Sequence, residues 1–247
     1  VIEANRFSQE IITDGEIIEK GEQRISPFAD ENKKYMEKKF SKLPPEHFGK
    51  WRAISYWLIL HVFLGSYVRF LYKIEVIGKE KLKTDKPYIV AANHYSNWDP
   101  FIIAMASDQF LAFMAKTELF DTFFSRWLMD WCGAFSVNRS KLEVSTIKTA
   151  INVNKTFWKL AIFPQGTRDA SGKINKVSRG FVALAKATKS DIMPVSITYT
   201  NPKSTGFHKE KITIKVGDPI PYGDADETMN KWCEAISAMS GLEYEPA

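Results

Sequence analysis

Short apolar runs alternate with longer amphipathic stretches between residues 74 and 216, and this alternation restricts the fold more than any other feature of the sequence. Short apolar runs bounded by turn residues are typical of strands, and the stretches between them favour helices. Strands that alternate with helices indicate βα units and a largely parallel sheet. The predicted strands are residues 74–77, 88–92, 110–115, 134–137, 160–163, 192–199 and 211–216.

Helices are predicted in the intervals between these strands and at the C-terminal end. The fold class we expect is α/β, with a mostly parallel mixed sheet flanked by helices over residues 73–247. A chain of 247 residues is long enough for one such domain and an appendage. The predicted helices of this domain are residues 100–106, 119–130, 141–158, 177–188 and 226–239.

The first 72 residues differ in character from this domain. Residues 1–29 carry scattered charge and turn-forming residues, and we interpret them as a lead-in segment. A first helix is predicted over residues 30–43, with a capping aspartate at its start and two prolines after its end. A second, apolar helix is predicted over residues 50–72. Residues 30–72 are therefore interpreted as a two-helix motif that associates with a membrane.

Twelve of the 16 residues between Ala53 and Val68 are apolar. At about 1.5 Å per residue this segment is roughly 24 Å long, shorter than the ~30 Å hydrocarbon core of a bilayer. The aromatic residues and arginines at its ends favour the headgroup region. We prefer a monotopic helix in one leaflet, and a packed core helix and a true span are the alternatives. The residues predicted to contact the membrane are Arg52, Trp57, Leu58, Leu60, Phe63, Leu64 and Arg69.

The chain has a formal net charge of +5, and the positive excess lies entirely in residues 51–247. Such an excess favours anionic partners, which include lipid headgroups, phosphorylated substrates, acidic carrier proteins and nucleic acid. A basic nucleic-acid-binding module is the main alternative from another functional class. We expect no nucleic acid, because the aromatic residues cluster in an apolar helix instead of alternating with Lys and Arg on a strand face.

The cysteines and histidines indicate neither a disulfide framework nor a metal site. Cys132 and Cys233 are the only two cysteines. The four histidines show no paired ligand spacing, so no metal is predicted. A reduced environment on the cytoplasmic side of a membrane is therefore the default location.

His94 and Asp99 stand five residues apart, directly after the strand predicted at residues 88–92. A neutral imidazole can take a proton from an alcohol when an acceptor holds its other nitrogen. A strand-to-helix turn would bring the carboxylate back onto the ring, which gives a general base and its partner. The alternative is structural, because Asp99 followed by Pro100 is a good helix N-cap, and a carboxylate has oxygens for both roles.

Two further predicted strands lead into an arginine. Residues 133–139 read GAFSVNR, and residues 161–168 read AIFPQGTR with a glycine-containing turn. Strand ends in a mostly parallel sheet converge on the edge where α/β proteins bind ligands, and an arginine fork matches phosphate geometry. Lys176 and Arg179 can add to the same patch. Taken singly, each of these cations is more often a solvated surface residue.

Four motifs, in order, give the chain a resemblance to the glycerolipid acyltransferase family. The block NHYSNWD at residues 93–99 resembles the family motif NHxxxxD, and GAFSVNR resembles the second motif. FPQGTR resembles the third motif, usually FPEGTR, and Met193-Pro194-Val195 resembles the fourth. Order and spacing agree from about residue 76 to residue 216. The chain is most similar to bacterial 1-acylglycerol-3-phosphate (lysophosphatidic acid) acyltransferases.

This resemblance implies roles for particular residues. In the family the histidine is the general base on the acceptor hydroxyl, the aspartate is its partner, and neither a metal nor another cofactor is needed. His94 and Asp99 are then catalytic. Gln165 stands where the family has glutamate, and it keeps an acceptor oxygen without the negative charge. The residues expected to bind the acceptor phosphate or to shape its turn are Arg139, Gln165, Gly166, Thr167, Arg168 and Lys176.

The resemblance also implies the substrates and the location. The donor is a fatty acyl thioester of acyl-carrier protein or coenzyme A. The acceptor is the sn-2 hydroxyl of 1-acylglycerol 3-phosphate, and the product is phosphatidic acid. Glycerol 3-phosphate and other lysophospholipids are alternative acceptors. Because lysolipid and product reside in a bilayer, we expect a peripheral or monotopic protein on the cytoplasmic face of the inner or plasma membrane.

Overall fold

A computed structural model of the chain describes residues 40–137, 143–168, 171–200 and 210–244. Its strands are β1 (Tyr72–Ile77), β2 (Tyr88–Ala92), β3 (Leu111–Lys116), β4 (Phe135–Val137), β5 (Lys159–Ile162), β6 (Asp191–Thr200) and β7 (Glu210–Val216). They form one sheet in the order β1-β7-β6-β2-β5-β3-β4.

The sheet is mixed and mostly parallel, as predicted. Strands β6, β2, β5, β3 and β4 are paired in parallel, whereas β7 is antiparallel to β6 and parallel to the edge strand β1. All five residues of β2 are buried, which is expected for a central strand covered on both faces. In β1 half-buried and exposed residues alternate, as expected for a strand with one solvated face.

Helices connect and flank these strands. They are α1 (Lys50–Leu71), α2 (Asp99–Ser107), α3 (Phe123–Trp131), α4 (Val144–Asn154), α5 (Gly180–Thr188) and α6 (Ala225–Ser240). Shorter 3-10 turns lie at Pro45–Phe48, Lys79–Leu82 and Thr117–Phe120.

The observed strands lie within two residues of the predicted ones at every end. The single helix predicted over residues 119–130 was wrong, because the chain makes a 3-10 turn there before α3. The Thr122 hydroxyl starts the new helix by accepting the Ser125 N–H at 3.3 Å. Helix α4 ends four residues earlier than predicted, where the chain turns to bury Trp158.

Helix α1 runs continuously for 22 residues and includes a π-helical segment at Leu58–Leu64. At about 1.5 Å per residue it is roughly 33 Å long. The helix predicted over residues 50–72 is therefore confirmed to within one residue, and the whole helix is long and apolar enough to cross a membrane by length and composition. Gly65 permits close packing within α1 and on α2, because a Cβ there would lie 2.6 Å from the Leu60 carbonyl oxygen of α1 and 3.1 Å from the Met105 sulfur of α2.

Both ends of α1 are bonded to the same α/β domain. Before the helix, the Leu43 N–H donates to Thr149 Oγ1 at 3.0 Å, and the Asn152 amide donates to the Leu43 carbonyl at 2.9 Å. After the helix, β1 pairs with β7. The first predicted helix, over residues 30–43, lies outside the described residues except for its last four.

Helix α1 has one buried and one exposed face. The buried residues, which pack on the domain, are Ala53, Tyr56, Leu60, Gly65 and Val68. The exposed face is also largely apolar, and its large apolar residues are Trp51, Ile54, Trp57, Leu58, Val62, Phe63, Tyr67 and Phe70.

Candidate active site

The carboxyl ends of three neighbouring strands bring together residues that are far apart in sequence. His94 follows β2, Gln165 follows β5, and Tyr199 is the penultimate residue of β6. Because β6, β2 and β5 are adjacent and parallel, these ends meet at one edge of the sheet. Ligands of α/β proteins bind at such an edge.

His94 and Asp99 form a buried pair. The His94 Nδ1 lies 2.9 Å from Asp99 Oδ2, and the Asp99 side chain is completely buried. The same oxygen accepts the backbone N–H groups of Tyr95 at 2.6 Å and Ser96 at 2.7 Å. The carboxylate therefore holds both the ring and the loop that carries the ring.

The alternative role of Asp99 as a helix N-cap was wrong. Asp99 is the first residue of α2, with Trp98 at the N-cap position and no side-chain hydrogen bond capping the helix. Its carboxylate turns back onto the preceding loop instead. The tight turn is closed by the Asp99 N–H, which donates to the Ser96 carbonyl at 3.2 Å.

Tyr199 is a third member of the site, which the sequence analysis did not assign. Its hydroxyl donates to Asp99 Oδ1 at 2.5 Å. Burial and the adjacent Asp99 carboxylate raise the pKa of Tyr199, so it stays a protonated donor through the physiological range. Its ring stacks on Tyr95 with the centroids 5.0 Å apart. In the sequence, only its position at the end of the strand predicted at residues 192–199 pointed to the site.

The loop that carries His94 is fixed from both sides. The His94 backbone N–H donates to Gln165 Oε1 at 3.1 Å, and the imidazole stacks on Phe163 with the ring centroids 4.1 Å apart. On the other side, the Asn93 amide exchanges two hydrogen bonds with the backbone of Ile197, at 2.8 and 2.9 Å. The imidazole orientation is thus set by both flanking strands.

His94 opens into an apolar cavity of about 300 Å³. Helix α1 contributes Tyr56 and Leu60 to its wall, and α3 contributes Leu128 and Met129. A smaller cavity of about 160 Å³ adjoins it and is lined partly by Gly166 and Phe181. Phe163 and Met114 line both cavities. Since Asp99 engages Nδ1, Nε2 is the His94 nitrogen available to a substrate in the larger cavity.

The residues predicted to bind phosphate differ in their burial and contacts. Gln165 is buried and bonded to the His94 backbone, so it supports the base. Gly166 has a φ of 68°, which favours glycine in this turn. Thr167 and Arg168 follow it and are exposed, and Lys176 is exposed in the next loop. Arg139 lies outside the described residues. Arg179, the other cation of the patch, is paired with Asp226 at 2.7 Å.

The residues predicted to contact a membrane also differ in their exposure. Trp57, Leu58 and Phe63 are exposed, and Leu64 is half-buried. Leu60 was misassigned: it is buried and lines the cavity, because its position in the helical turn points to the domain.

Arg52 and Arg69 make contacts within the protein. The Arg52 guanidinium donates to Asp130 Oδ2 at 3.1 Å, and Arg69 donates to the His61 carbonyl at 2.7 Å. Asp130 has a second partner in His47, whose Nε2 lies 3.1 Å from Asp130 Oδ1. Arg52 therefore anchors the start of α1 to the end of α3.

Comparison with known proteins gives consistent relatives. A model of the Acyltransferase family matches residues 73–198. The 1-acyl-sn-glycerol-3-phosphate acyltransferase of Streptococcus pneumoniae is 35% identical over 166 residues, covering 65% of this chain and 60% of that protein. The protein of the same name from Bacillus subtilis is 30% identical over 172 residues, covering 68% of this chain and 82% of that protein.

Two further comparisons concern length and fold. The yeast 1-acyl-sn-glycerol-3-phosphate acyltransferase is 28% identical over 71% of this chain, and the chain spans about three fifths of the yeast and Streptococcus proteins. The crystal structure of the 1-acyl-sn-glycerophosphate (LPA) acyltransferase PlsC from Thermotoga maritima gives a TM-score of 0.52 at 22% identity. It covers 87% of this chain and 80% of that one, and the likeness is one of fold.

Proposed function

The chain belongs to the Acyltransferase family, and we propose that it transfers a fatty acyl group from an acyl thioester to the sn-2 hydroxyl of 1-acylglycerol 3-phosphate. The product is phosphatidic acid. The relatives from Streptococcus and Bacillus carry this activity in their names. Their similarity supports the choice of acceptor, and the residues of this chain support the chemistry.

One observation carries the proposal: a buried His94–Asp99 pair opens into an apolar cavity. A general base needs an oriented imidazole within reach of the hydroxyl, and a fatty acyl chain needs an apolar wall. Both requirements are met at one edge of the sheet.

The reaction needs one proton transfer in each direction. His94 Nε2 takes the proton of the acceptor hydroxyl while the oxygen attacks the thioester carbonyl carbon. The Asp99 carboxylate stabilises the imidazolium that forms, and Tyr199 and two backbone N–H groups hold that carboxylate in place. The tetrahedral intermediate then collapses, the carbon–sulfur bond breaks, and the imidazolium protonates the leaving thiolate. General-base catalysis of this kind contributes about 10²–10⁴ in rate.

The acceptor phosphate is assigned to the turn after β5 and to the arginine after β4. Arg168 and Thr167 are exposed at the end of that turn, where a charged headgroup can reach them. Arg139 and Lys176 remain predictions for the same subsite, with Gly166 shaping the turn. Gln165 supports the subsite indirectly, because it connects the turn to the His94 backbone.

The membrane assignment places α1 in one leaflet. Although α1 is long enough to span, both of its ends are bonded to one domain, and one face packs on that domain along its whole length. A crossing helix would draw the domain into the bilayer. We therefore favour a monotopic protein on the cytoplasmic face, with residues 30–72 as its membrane motif, 73–247 as its catalytic domain and 1–29 as a lead-in.

The test is an acyl-transfer assay with several donors and acceptors. Purified protein in detergent or liposomes is incubated with acyl-carrier-protein and coenzyme A thioesters of matched chain length. The acceptors are 1-acylglycerol 3-phosphate, glycerol 3-phosphate and a lysophosphatidylcholine, and products are identified by mass spectrometry. We expect the highest kcat/KM for 1-acylglycerol 3-phosphate with at least one donor. A clear preference for either other acceptor would contradict the proposal.

A further inference from the structure

Helix α3 carries four aromatic side chains on its outer surface. Phe123, Phe124, Trp127 and Trp131 are 81%, 70%, 43% and 37% exposed, and no residue of this helix is fully buried. The ring centroids of Phe124 and Trp127 lie 6.2 Å apart, and those of Trp127 and Trp131 lie 6.1 Å apart. The rings of Phe124, Trp127 and Trp131 form a continuous strip. Together with the neighbouring exposed Phe123, we call these residues the aromatic face.

The inner side of α3 already has a partner. Leu128 and Met129 line the cavity that contains His94. The helix is held firmly, because Thr122 caps its start and Arg52 binds Asp130 at its end. A fixed helix with apolar residues on both sides indicates that its outer side meets an apolar environment of its own.

The aromatic face continues into the exposed face of α1. The Arg52 guanidinium, which binds Asp130, also lies 5.9 Å from the centroid of the Trp131 ring. Trp51, which is 85% exposed, borders the same surface depression as Trp131. The two helices therefore present one apolar surface, joined at Arg52.

We propose that the aromatic face of α3 is a second membrane-inserting element, lying at the boundary of headgroups and acyl chains beside α1. Aromatic side chains favour this boundary. In the sequence around α3, Lys116 and Arg126 balance Glu118 and Asp121, so the charges select neither an acidic nor a basic protein partner. Continuity with the apolar face of α1 favours a bilayer over a second copy of the chain.

This placement goes beyond the proposed reaction and rests on it only for the presence of a membrane. Both α1 and α3 line the cavity with their inner sides and would contact lipid with their outer sides. An acyl chain can then pass from the leaflet to His94 between two inserted helices, without crossing water. Salt should have little effect on the α3 contact, because the bordering charges cancel.

The test is a fluorescent probe placed on the aromatic face of the full chain. Burial raises the pKa of the native thiols, to about 12 for Cys132 and about 11 for Cys233, so an introduced surface cysteine reacts selectively. Phe124→Cys is labelled with a nitrobenzoxadiazole probe. The control is Ile77→Cys, which is also exposed but ends β1 on the opposite edge of the sheet.

With phosphatidylcholine vesicles, we expect a blue shift and quenching by lipids spin-labelled in the acyl chain at position 124, and neither change at position 77. Vesicles that also contain phosphatidylglycerol should give the same result at high salt. A probe at position 124 that keeps its aqueous emission while the protein floats with vesicles would overturn the proposal. A blue shift without vesicles, accompanied by a doubled mass in light scattering, would assign the face to a second copy instead.

An activity measurement separates this inference from the proposed function. Phe123→Ser/Phe124→Ser should lower activity on a long-chain acceptor in vesicles by at least about 10-fold, because two phenylalanines no longer insert. Activity on a short-chain, water-soluble acceptor should stay within about 2-fold of the parent. Ile77→Ser should change neither activity. The probe requires no turnover, so it remains decisive even if the acyl-transfer assay fails.

Discussion

The Tyr199 hydroxyl donates to Asp99 Oδ1 at 2.5 Å, while Asp99 Oδ2 faces His94 Nδ1 at 2.9 Å. The two carboxylate oxygens thus have separate tasks. One faces the imidazole and the loop N–H groups, and the other is fixed by a residue of β6. Because the carboxylate is completely buried, each of these donors offsets part of its desolvation cost. Tyr199 therefore orients the base through Asp99 and does not itself line the cavity that His94 opens into.

Tyr199→Phe should lower kcat by about 10-fold or more, with little change in acceptor KM. The lost hydrogen bond to a charged group corresponds to about 1.5–3 kcal/mol. Without the phenol, the Asp99 carboxylate loses one of the donors that fix its orientation, so Oδ2 is held less firmly toward the imidazole. The loss should therefore appear in kcat and not in the acceptor KM. A change in the acceptor KM, or a loss of thermal stability that accounts for the lower kcat, would indicate a merely structural role.

His94→Ala should abolish acyl transfer, because no other described side chain can replace Nε2 at the cavity. Asp99→Asn should be severely impaired as well, and it should also unfold at lower temperature. Asp99 Oδ2 accepts two backbone N–H groups in addition to the imidazole, and an amide nitrogen there would face these donors. Single-turnover assays and thermal melts check both. Near-parental turnover of His94→Ala would rule out the base.

Gln165→Glu and Gln165→Leu form a matched pair. Gln165 is buried, and its Oε1 accepts the His94 N–H at 3.1 Å. A glutamate keeps that acceptor, so Gln165→Glu should retain or gain activity. Leucine leaves a buried N–H unpaired, which costs about 1–3 kcal/mol, and it frees the loop that carries the base. Steady-state kinetics distinguish them. An inactive Gln165→Glu would mean that the site requires the neutral amide.

Arg168→Ala should raise the acceptor KM by roughly 10- to 150-fold and leave the donor KM unchanged, since a charge-assisted contact is worth about 1.5–3 kcal/mol. Arg139→Ala should behave in the same way. Arg179→Ala is the control, because Arg179 is already paired with Asp226 on the surface. Initial rates with each substrate varied in turn give both constants. A defect confined to the donor would assign Arg168 to the wrong substrate.

Local patterns in the sequence predicted the strands and the His94–Asp99 pair, but they did not predict contacts between residues that are far apart in the sequence. Strand β2 is a short apolar run, so its burial and end point follow from composition. His94 and Asp99 are five residues apart, so one turn brings them together. Tyr199 lies 100 residues from Asp99, and their contact depends on β6 lying beside β2. No local pattern contains that adjacency.

Residue type also could not separate neighbouring roles. Leu58 and Leu60 are equally hydrophobic, yet one is exposed and the other lines the cavity. Only the register of α1 against the domain decides which side each faces. For Gln165, the motif indicated the right turn but not the partner of the side chain. A turn of this kind can bind a phosphate or a backbone N–H, and in the structure the Gln165 amide oxygen accepts the His94 N–H.

Because Leu58 and Leu60 face opposite sides of α1, substitutions on each side should have different effects. Leu58→Ser/Phe63→Ser removes two exposed apolar side chains, which should weaken vesicle binding and depress activity on long-chain acceptors. Activity on a water-soluble short-chain acceptor should change little, because His94 and the cavity are intact. Leu60→Ser should do the reverse, with normal vesicle binding and reduced acyl transfer, since Leu60 lines the cavity. Flotation and kinetics on both acceptors measure these effects.

Protease protection on oriented vesicles tests the placement of α1 directly. We expect residues before Lys50 and after Leu71 to be cleaved from the same side, because both segments are bonded to one domain. Cleavage from opposite sides would show that α1 spans and would contradict the monotopic arrangement. A parent protein that never floats without detergent would instead make α1 a core helix. In that case Leu58→Ser/Phe63→Ser would leave activity on both acceptors unchanged, since no lipid contact would be lost.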